Sequence, residues 1–581
     1  MERAGVISTL RPVQLVDLLS PASTEIDKPT APPMAADAAV LLVSARLGDS
    51  ALEPWLAQAR TKRQPVLLAW TTGASVTVGY DDGRSRPCLR CALLYDVLLP
   101  DVLPGVLEGQ LIHATASAQS DGAEFARGLL LMLAQPGAER PSPGRALVVD
   151  TQRWTTTWES YGPHPSCRCV SEGKPVAIDT AARGWTDSAP RRFSPLVCID
   201  DGADGRPARV LFRRSRSLWA KTAADYGIAS AAGEHATLRA FAEGVERFCM
   251  LHAPSDVPNA PATELGATAF DEASLGGMMF RPEERSVPGF RLPDYTAQLA
   301  LDWSWAVHAR SGERRAVPTC LVGRPGAGTS RLMDTTSNGY AAHTERDKAV
   351  ALAVLEVIER DAVLLWWYAS LSAPRIVGWP NPSGWGAETR AFLVTRDIDL
   401  PVVMLVARLA NGGLRLTSAA ATTFRSAWLK AASEMDSGLW TVKRNTPGPP
   451  PKNLMDAAAH HGPSHHLDDY LDPVNARPLV ERLWSTPDEL DADGLVARWG
   501  QGAGDELEKV LAGTERAQLD TWLIDRSLPT VFGVGWHVVR ALIPGTIEVS
   551  WGQAYRRLAS PRLKQAWAAG GSLNPLPHPV A

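Results

Sequence analysis

Two stretches of the chain, Glu243–Arg247 and Glu356–Arg360, share the pattern Glu-x-x-Glu-Arg, and each lies in a segment with helical apolar spacing. Around the second stretch, residues 349–365 are apolar on nearly the whole helix circumference, which predicts burial. Glu356 and Glu359 nevertheless lie on one face of that helix together with an arginine. Divalent cations and phosphates would compensate such buried charges, because Mg²⁺ binds carboxylate oxygens and arginine binds phosphate. A structural ion-pair network is the alternative.

The first Glu-x-x-Glu-Arg segment is amphipathic. Its expected apolar face consists of Leu238, Phe241, Ala242, Val245, Phe248 and Cys249. The charged residues are then expected on the opposite side of the helix, where pairs such as Arg239 with Glu243 could form on a solvated face. Taken with the second helix, however, the repeated pattern favours a shared site for a cation and a phosphate.

A small polar turn, Ser337-Asn338-Gly339, lies upstream of the second helix. We expect this turn to feed the helix start, where it would offer hydroxyl, amide and backbone donors for phosphate or ribose. A capped loop without ligand is the alternative.

The cysteines form two close pairs, each in a turn that contains proline. Cys88 and Cys91 are spaced as C-x-x-C, and Cys167 and Cys169 as C-x-C. Four thiolates from two loops would suit a tetrahedral structural zinc site, with free thiols as the alternative. A histidine-rich segment, residues 460–466, has a Gly-Pro centre and is expected to be a surface loop rather than a metal site.

The composition of the 581-residue chain, 45% hydrophobic and 21% charged, predicts a folded protein of two domains. A net charge of −4 disfavours a dedicated nucleic-acid binder. Seven cysteines are few for this length, which favours a reducing, cytoplasmic compartment. The longest apolar runs are too short for a membrane span or a signal peptide. Short apolar strands alternate with helical segments before residue 190, and longer helices follow, so we expect an α/β fold in both parts.

The two glutamate helices, the 337–339 turn and the segment 533–563 together resemble the YcaO family of ATP-dependent enzymes. The resemblance covers residues 191–581 and implies a large α/β YcaO domain that binds ATP and Mg²⁺. It implies that the Mg²⁺ ligands are Glu243, Glu246, Glu356 and Glu359. It implies that the residues contacting ATP are Arg247, Ser337, Asn338, Arg360 and Glu434.

Residues 60–190 resemble the reduced ThiF-like α/β domain that is fused to azoline-forming members of this family, and we expect this first domain to comprise residues 1–190. The matching segments are PVLLAW, RPCLRC and PHPSCRC. The last residues of the chain, with Pro575, Pro577 and Pro579, resemble the PxPxP ending of the peptide cyclodehydratases. We expect this rod to carry the terminal carboxylate of Ala581 towards the ATP site, where it would assist proton transfer as a catalytic group. A flexible tail is the alternative.

The resemblance implies an enzyme that uses ATP to convert Cys, Ser or Thr residues of a ribosomally made precursor peptide into thiazolines or oxazolines. The side chain attacks the preceding carbonyl, the oxyanion is phosphorylated, and phosphate leaves. Alternatives are thioamide or amidine formation by the same family, or a non-catalytic scaffold that presents peptide to another enzyme. A zinc hydrolase is disfavoured, because the cysteine pairs leave no open zinc position.

The implied partners start with the precursor peptide. Residues 1–20, before the proline-rich stretch 21–33, are too few for a leader-binding winged-helix domain, so a separate leader-binding protein is expected. A flavin-dependent azoline dehydrogenase and a second copy of the chain are further candidate partners, whereas nucleic acid and membrane are not.

Overall fold

The chain divides into two compact units in the computed structural model. The described residues are 13–17, 40–46, 52–63, 65–72, 75–82, 84, 88–95, 129, 144–150, 155–161, 164, 167, 196–201, 207–214, 226–232, 235–271, 275, 278–326, 329–379, 388–444, 466, 468–500, 504–528 and 536–579. Unit 1 comprises Met1–Cys198, Leu211–Ile228 and Leu528–Val534. Unit 2 comprises Ile199–Val210, Ala229–Ser527 and Gly535–Ala581. The two later segments of unit 1 carry no sequence signal of their own.

Unit 1 contains a six-stranded sheet with the order β1-β2-β3-β4-β5-β6. The first three strands are parallel and the last three are added antiparallel. Its strands are β1 (Val13–Asp17), β2 (Val40–Arg46), β3 (Val66–Thr72), β4 (Ser75–Asp81), β5 (Arg145–Asp150) and β6 (Thr155–Ser160). Helix α1 (Leu52–Thr61) supplies the crossover that the parallel pair β2–β3 requires. Helix α2 (Leu89–Tyr95) follows β4, and the α/β class expected from the sequence is confirmed.

A three-stranded sheet follows along the chain, in the order β7-β8-β9. Its strands are β7 (Leu196–Asp201), β8 (Ala208–Arg213) and β9 (Tyr226–Ala231).

Unit 2 is built on two larger sheets. The first has the order β10-β11-β19-β20-β13, with β12 paired to β11. Its strands are β10 (Val257–Pro261), β11 (Ala300–His308), β12 (Arg314–Pro318), β13 (Tyr340–His343), β19 (Trp522–Asp525) and β20 (His537–Leu542). The second has the order β17-β16-β15-β14-β18. Its strands are β14 (Arg375–Val377), β15 (Glu388–Leu393), β16 (Val402–Arg408), β17 (Leu414–Ala420) and β18 (Glu489–Asp491).

The described helices of unit 2 vary from one turn to six. They are α3 (Ala236–His252), α4 (Ala262–Leu265), α5 (Pro282–Arg285), α6 (Arg346–Tyr368), α7 (Phe424–Arg444), α8 (Pro473–Trp484), α9 (Ala492–Trp499), α10 (Glu506–Arg516) and α11 (Pro561–Ala568). Helix α6 packs against β13 and β20 of the first sheet and against β17 of the second. Its burial confirms the expectation from its all-round apolar sequence. None of the described helices is long and apolar enough to span a membrane.

The expected position of the 337–339 turn is wrong. The turn leads into strand β13 rather than directly into a helix. Gly339 has φ +70°, and a Cβ there would lie 2.6 Å from Cγ2 of Val357 and 2.7 Å from the carbonyl oxygen of Ala541, so the tight approach of β20 and α6 requires glycine.

The apolar face of α3 agrees with the expected one only in part. Val245, Phe248 and Cys249 are buried as expected, together with Ala240, Gly244 and His252, whereas Leu238 is 45% exposed. The helical period identifies residues that share a face, but it does not say how far along the helix the covering elements extend.

Candidate functional site

A cavity of about 840 Å³ lies within unit 2, between α3, α6 and α7. Strands β13 and β17 and the end of β9 complete its walls. The charged side chains that line it are Arg239, Glu243, Glu246, Arg247, Glu356, Glu359, Arg360, Arg415, Lys430, Glu434 and Asp436. The structure therefore brings together all four predicted metal-ligating glutamates, both predicted arginines and Glu434.

Backbone groups of neighbouring strands orient the two carboxylates of α3. The amide of Ser230 on β9 donates to Oε2 of Glu243 over 3.1 Å, and the amide of Ala342 on β13 donates to Oε1 of Glu246 over 3.1 Å. Arg247 donates to Oε1 of Glu243 over 3.4 Å, across one helical turn. Both carboxylates are thereby fixed at the cavity wall by groups whose positions the sheets determine.

The two carboxylates of α6 have different surroundings. Glu359 is 4% exposed and accepts hydrogen bonds from the Ser418 hydroxyl at 2.8 Å and from the Ala420 amide at 3.1 Å, with the Lys430 ammonium 3.8 Å away. Glu356 forms only a loose ion pair with Arg360, at 3.7 Å. Glu356 therefore keeps more of its oxygen lone pairs available to a ligand, whereas Glu359 also ties α6 to β17.

Helix α7 contributes the third side of the site. Glu434 pairs with Arg239 at 3.3 Å, and Arg239 also donates to the Ser433 hydroxyl and to the carbonyl oxygen of Ala232 at 3.1 Å. The alternative pair of Arg239 with Glu243 within α3 is wrong, because Arg239 reaches across to α7 instead.

Burial acts against the charge of these carboxylates. Desolvation, followed by the nearby charge of Glu356, raises the pKa of Glu246 to about 8. Desolvation also raises the pKa of Glu356 and of Glu434, although Arg360 and Arg239 respectively oppose the shift. A bound divalent cation would stabilise the ionised forms of all three side chains.

The pKa values of two arginines of the cavity are shifted in opposite directions. Burial lowers the pKa of Arg247, but Glu243, Glu246 and Glu356 more than offset this, so the pKa lies above its ordinary value. Burial lowers the pKa of Arg415, which no described carboxylate approaches within ion-pair distance. Arg247 is thus held charged among the carboxylates, where it can also meet a phosphate.

The predicted contacts of Ser337 and Asn338 do not coincide with this cavity, since neither residue is among its described lining. The amide of Asn338 donates to Oε2 of Glu548 over 2.9 Å, and Glu548 in turn pairs with Arg540 at 3.3 Å. All three side chains are buried. Asn338 thus belongs to an internal polar network next to the Gly339 turn.

The sequence placed Arg239 on the charged side of α3 but did not indicate three other charged residues of the cavity, namely Arg415, Lys430 and Asp436. Lys430 stands four residues before Glu434 on α7, a spacing that places both on one face and could have indicated it. Arg415 lies on a strand and gave no signal.

The proline-rich segment near the end of the chain is packed rather than flexible in its described part. Residues 577–579 are buried, and Pro579 lines the cavity. The Tyr470 hydroxyl donates to the carbonyl oxygen of Pro577 over 2.6 Å, and the indole N–H of Trp367 donates to that of Leu576 over 2.9 Å. Ala581, the expected catalytic residue, lies outside the described residues, and its role stays a prediction.

Three of the four predicted zinc-ligating cysteines meet in unit 1. Cys88, Cys91 and Cys167 are buried, and their sulfur atoms lie within 4.8 Å of one another. Cys169 lies outside the described residues. Three converging thiols fit a structural zinc site, which stays a prediction.

One histidine of the 460–466 segment departs from its expected surface position. His466 is 1% exposed and hydrogen-bonded on both sides of its ring. The other histidines of that segment lie outside the described residues.

Comparison with known proteins identifies the relatives of this arrangement. The family model described as the YcaO cyclodehydratase, which binds ATP and Mg²⁺, matches residues 230–547. The chain belongs to the YcaO family. This match includes both glutamate helices, strand β17 and helix α7, and it makes the protein an ATP-dependent cyclodehydratase. No curated protein matches the chain.

Comparison with solved structures extends the similarity of fold over nearly the whole chain. A heterocyclase in complex with substrate and cofactor superposes with a TM-score of 0.63 at 18% identity, over 98% of this chain and 85% of that one. The heterocyclase TruD superposes with a TM-score of 0.51 at 18% identity, over 95% of this chain and 82% of that one. At these identities the likeness concerns the fold.

We expect Glu246 to make stability without metal depend on pH. Because its folded-state pKa is raised from 4.5 to about 8, the folded protein retains a proton that the unfolded chain loses in that interval. The free energy of unfolding should therefore fall as the pH rises from about 5 to about 8. Glu246→Gln should remove about 1 to 3 kcal/mol of that fall, since the cavity solvent screens part of the shift.

Thermal unfolding in EDTA across this pH range, for wild type and Glu246→Gln, measures the difference. Equal pH slopes for the two proteins would contradict the raised pKa.

Proposed function

We propose that this YcaO enzyme cyclodehydrates Cys, Ser or Thr residues of a ribosomally synthesised precursor peptide to thiazolines or oxazolines, with ATP as co-substrate. The observation that carries the proposal is a cavity that combines carboxylates from three helices, several guanidinium groups and Pro579 of the proline-rich tail. The similar heterocyclase described as complexed with substrate and cofactor supports it.

The donor set of the cavity fits ATP with Mg²⁺. Carboxylate oxygens are ligands that Mg²⁺ accepts, and because burial raises the pKa of Glu246 and Glu356, a bound cation would favour the ionised forms of both. We assign Glu243, Glu246, Glu356 and Glu359 to Mg²⁺. We assign Arg247, Arg360 and Glu434 to ATP, and add Lys430, whose ammonium lies beside Glu359.

In the proposed reaction, the thiol or hydroxyl of the peptide adds to the carbonyl carbon of the preceding residue, forming a C–S or C–O bond. ATP with Mg²⁺ supplies the phosphoryl group that turns the former carbonyl oxygen into a leaving group. Phosphate then departs and the amide nitrogen loses its proton, which leaves a ring C=N bond. ADP and phosphate are the co-products, and each ring lowers the peptide mass by one water.

The residues of the chain act through charge and position. Arg247 and Arg360 lie one turn from their partner carboxylates in the cavity, where their guanidinium groups stabilise negative charge on transferred phosphoryl oxygens. Glu359, held by Ser418 and Ala420, fixes the orientation of α6 relative to β17. No side-chain nucleophile of the enzyme is needed.

Thioamide or amidine formation would use the same carboxylates and remains the alternative within the family. The docked tail favours cyclodehydration, because the sibling reactions do not require a PxPxP segment. A non-catalytic scaffold is disfavoured, because all four glutamates are present and face one cavity.

We also propose that unit 1 is the ThiF-like part of the enzyme, with a structural zinc on Cys88, Cys91, Cys167 and Cys169. The converging thiols of the first three support this proposal. Precursor peptide would be delivered by a separate leader-binding protein, and a flavin-dependent azoline dehydrogenase would act on the product.

The direct test is mass spectrometry of a precursor peptide incubated with enzyme, leader-binding protein, ATP and Mg²⁺. We expect losses of one water per ring, with ATP hydrolysed in step. Glu356→Gln and Glu359→Gln should each lower ATP turnover at least about a hundredfold, because a neutral amide cannot balance Mg²⁺.

The exposed pair Glu508 with Arg310 offers a control, since Glu508→Gln removes a carboxylate that does not line the cavity and should leave turnover unchanged. ATP turnover near the wild-type rate in Glu356→Gln would return α6 to a structural ion-pair role.

The proline-rich tail gives a second test. Deleting the chain from Pro577 onwards should abolish cyclisation, and because it removes the buried His578 and the carbonyl partners of Tyr470 and His466, the thermal unfolding midpoint should fall while the protein still unfolds cooperatively. Water losses at the wild-type rate in the truncated enzyme would show that the docked tail has no part in the reaction.

A further inference from the structure

The tail approaches the cavity along a groove made by α6 and two later segments. Its backbone carbonyls accept hydrogen bonds at successive residues: Leu576 from Trp367 on α6, Pro577 from Tyr470, and His578 from His466. Prolines at alternate positions lack amide donors, so carbonyl acceptors are the main polar groups by which such a rod can be held.

His466 connects this tail to a second backbone segment. Its Nδ1 lies 3.0 Å from the carbonyl oxygen of His578, and its Nε2 lies 3.1 Å from the amide nitrogen of Gly552. A carbonyl can only accept and an amide can only donate, so Nδ1 carries the proton and Nε2 is the acceptor. The neutral imidazole in this tautomer bridges the two segments as both donor and acceptor.

The surroundings of His466 keep the bridge in place. Its ring centroid lies 4.4 Å from that of His578 and 5.3 Å from that of Trp551. His578 is fully buried, and its Nε2 lies 2.9 Å from the carbonyl oxygen of Ser550. The tail is therefore fastened to the 550–552 segment twice, immediately before Pro579 reaches the cavity.

We propose that His466 is a positioning residue, which holds the carbonyl of His578 so that the tail enters the cavity at a fixed depth. The contact between His466 and the tail does not depend on the proposed function. The expected effect of tail depth on cyclisation rests on it. His466 is not among the residues that line the cavity, and its contact with the carbonyl of His578 connects it to the cavity through the tail. Tyr470 contributes the adjacent contact, one residue earlier along the tail.

Three substitutions at position 466 separate the two halves of the bridge. His466→Asn keeps an amide donor near the position of Nδ1 and can still bind the tail, whereas His466→Gln places its carbonyl oxygen near Nε2 and can still bind Gly552. His466→Ala removes both contacts. We expect cyclisation kcat to fall at least tenfold in the Ala and Gln variants and less than threefold in the Asn variant, with the KM for ATP unchanged.

The chain offers a matched pair of tyrosines as a control. Tyr470→Phe removes the hydroxyl that binds Pro577, whereas Tyr368→Phe removes a buried hydroxyl that no described group hydrogen-bonds. Both retain the aromatic ring. We expect Tyr470→Phe to lower kcat several-fold and Tyr368→Phe to leave it unchanged.

Hydrogen exchange of the C-terminal peptide, followed by mass spectrometry, reads tail docking without catalysis. Exchange should be faster in His466→Ala and His466→Gln than in wild type and His466→Asn. Faster exchange with unchanged kcat would overturn the positioning role, and unchanged exchange in His466→Ala would overturn the contact itself. Wild-type enzyme without any water loss would refute the proposed function, while the exchange comparison would still decide whether His466 holds the tail.

Discussion

Helix α6 is buried and yet carries charged side chains, and the structure of unit 2 depends on how these charges are compensated. Helix α6 packs between two sheets, and its carboxylates cannot be reached by bulk water in the way that surface groups are. Glu359 is satisfied by Ser418, Ala420 and Lys430. On the helix face away from the cavity, Asp361 accepts from the Ile547 amide and pairs with Arg562 at 2.8 Å.

The cavity carboxylates are left only partly compensated. Glu246 and Glu356 face each other across the space between α3 and α6, and the charge of Glu356 contributes to the raised pKa of Glu246. A protein that fully neutralised these groups would gain stability and lose the driving force for binding cations. The arrangement therefore combines a rigid frame, provided by strand amides and Glu359, with carboxylates that bind a cation favourably.

The sequence was informative where periodicity and charge coincided. The apolar circumference of 349–365 predicted a buried helix, and the repeated Glu-x-x-Glu-Arg pattern predicted a shared site, which the cavity confirms as a grouping of side chains. Arg239 and Arg415 could not be placed, because which carboxylate a long side chain reaches depends on tertiary packing. The ATP contacts of Ser337 and Asn338 stay a prediction, and local turn chemistry did not reveal that their turn leads into strand β13.

Tail docking was expected from the proline spacing, but its anchors were not. His466 belongs to a segment whose Gly-Pro centre indicated a surface loop, and its contacts with Gly552, Trp551 and His578, all distant in sequence, account for its burial. The spacing of the two cysteine pairs predicted a common site. The fold of unit 1 then shows that three of the sulfur atoms converge.

We propose that the carboxylates of α3 and α6 together bind the divalent cation that accompanies ATP. Anomalous diffraction from crystals grown with Mn²⁺ and a non-hydrolysable ATP analogue measures this directly, because Mn²⁺ favours the same oxygen ligands as Mg²⁺. We expect anomalous peaks within about 2.5 Å of the carboxylate oxygens of Glu246 and Glu356, with the phosphates beside Arg247. Nucleotide and Mn²⁺ bound outside this cavity, or nucleotide bound in it without metal on either helix, would contradict it.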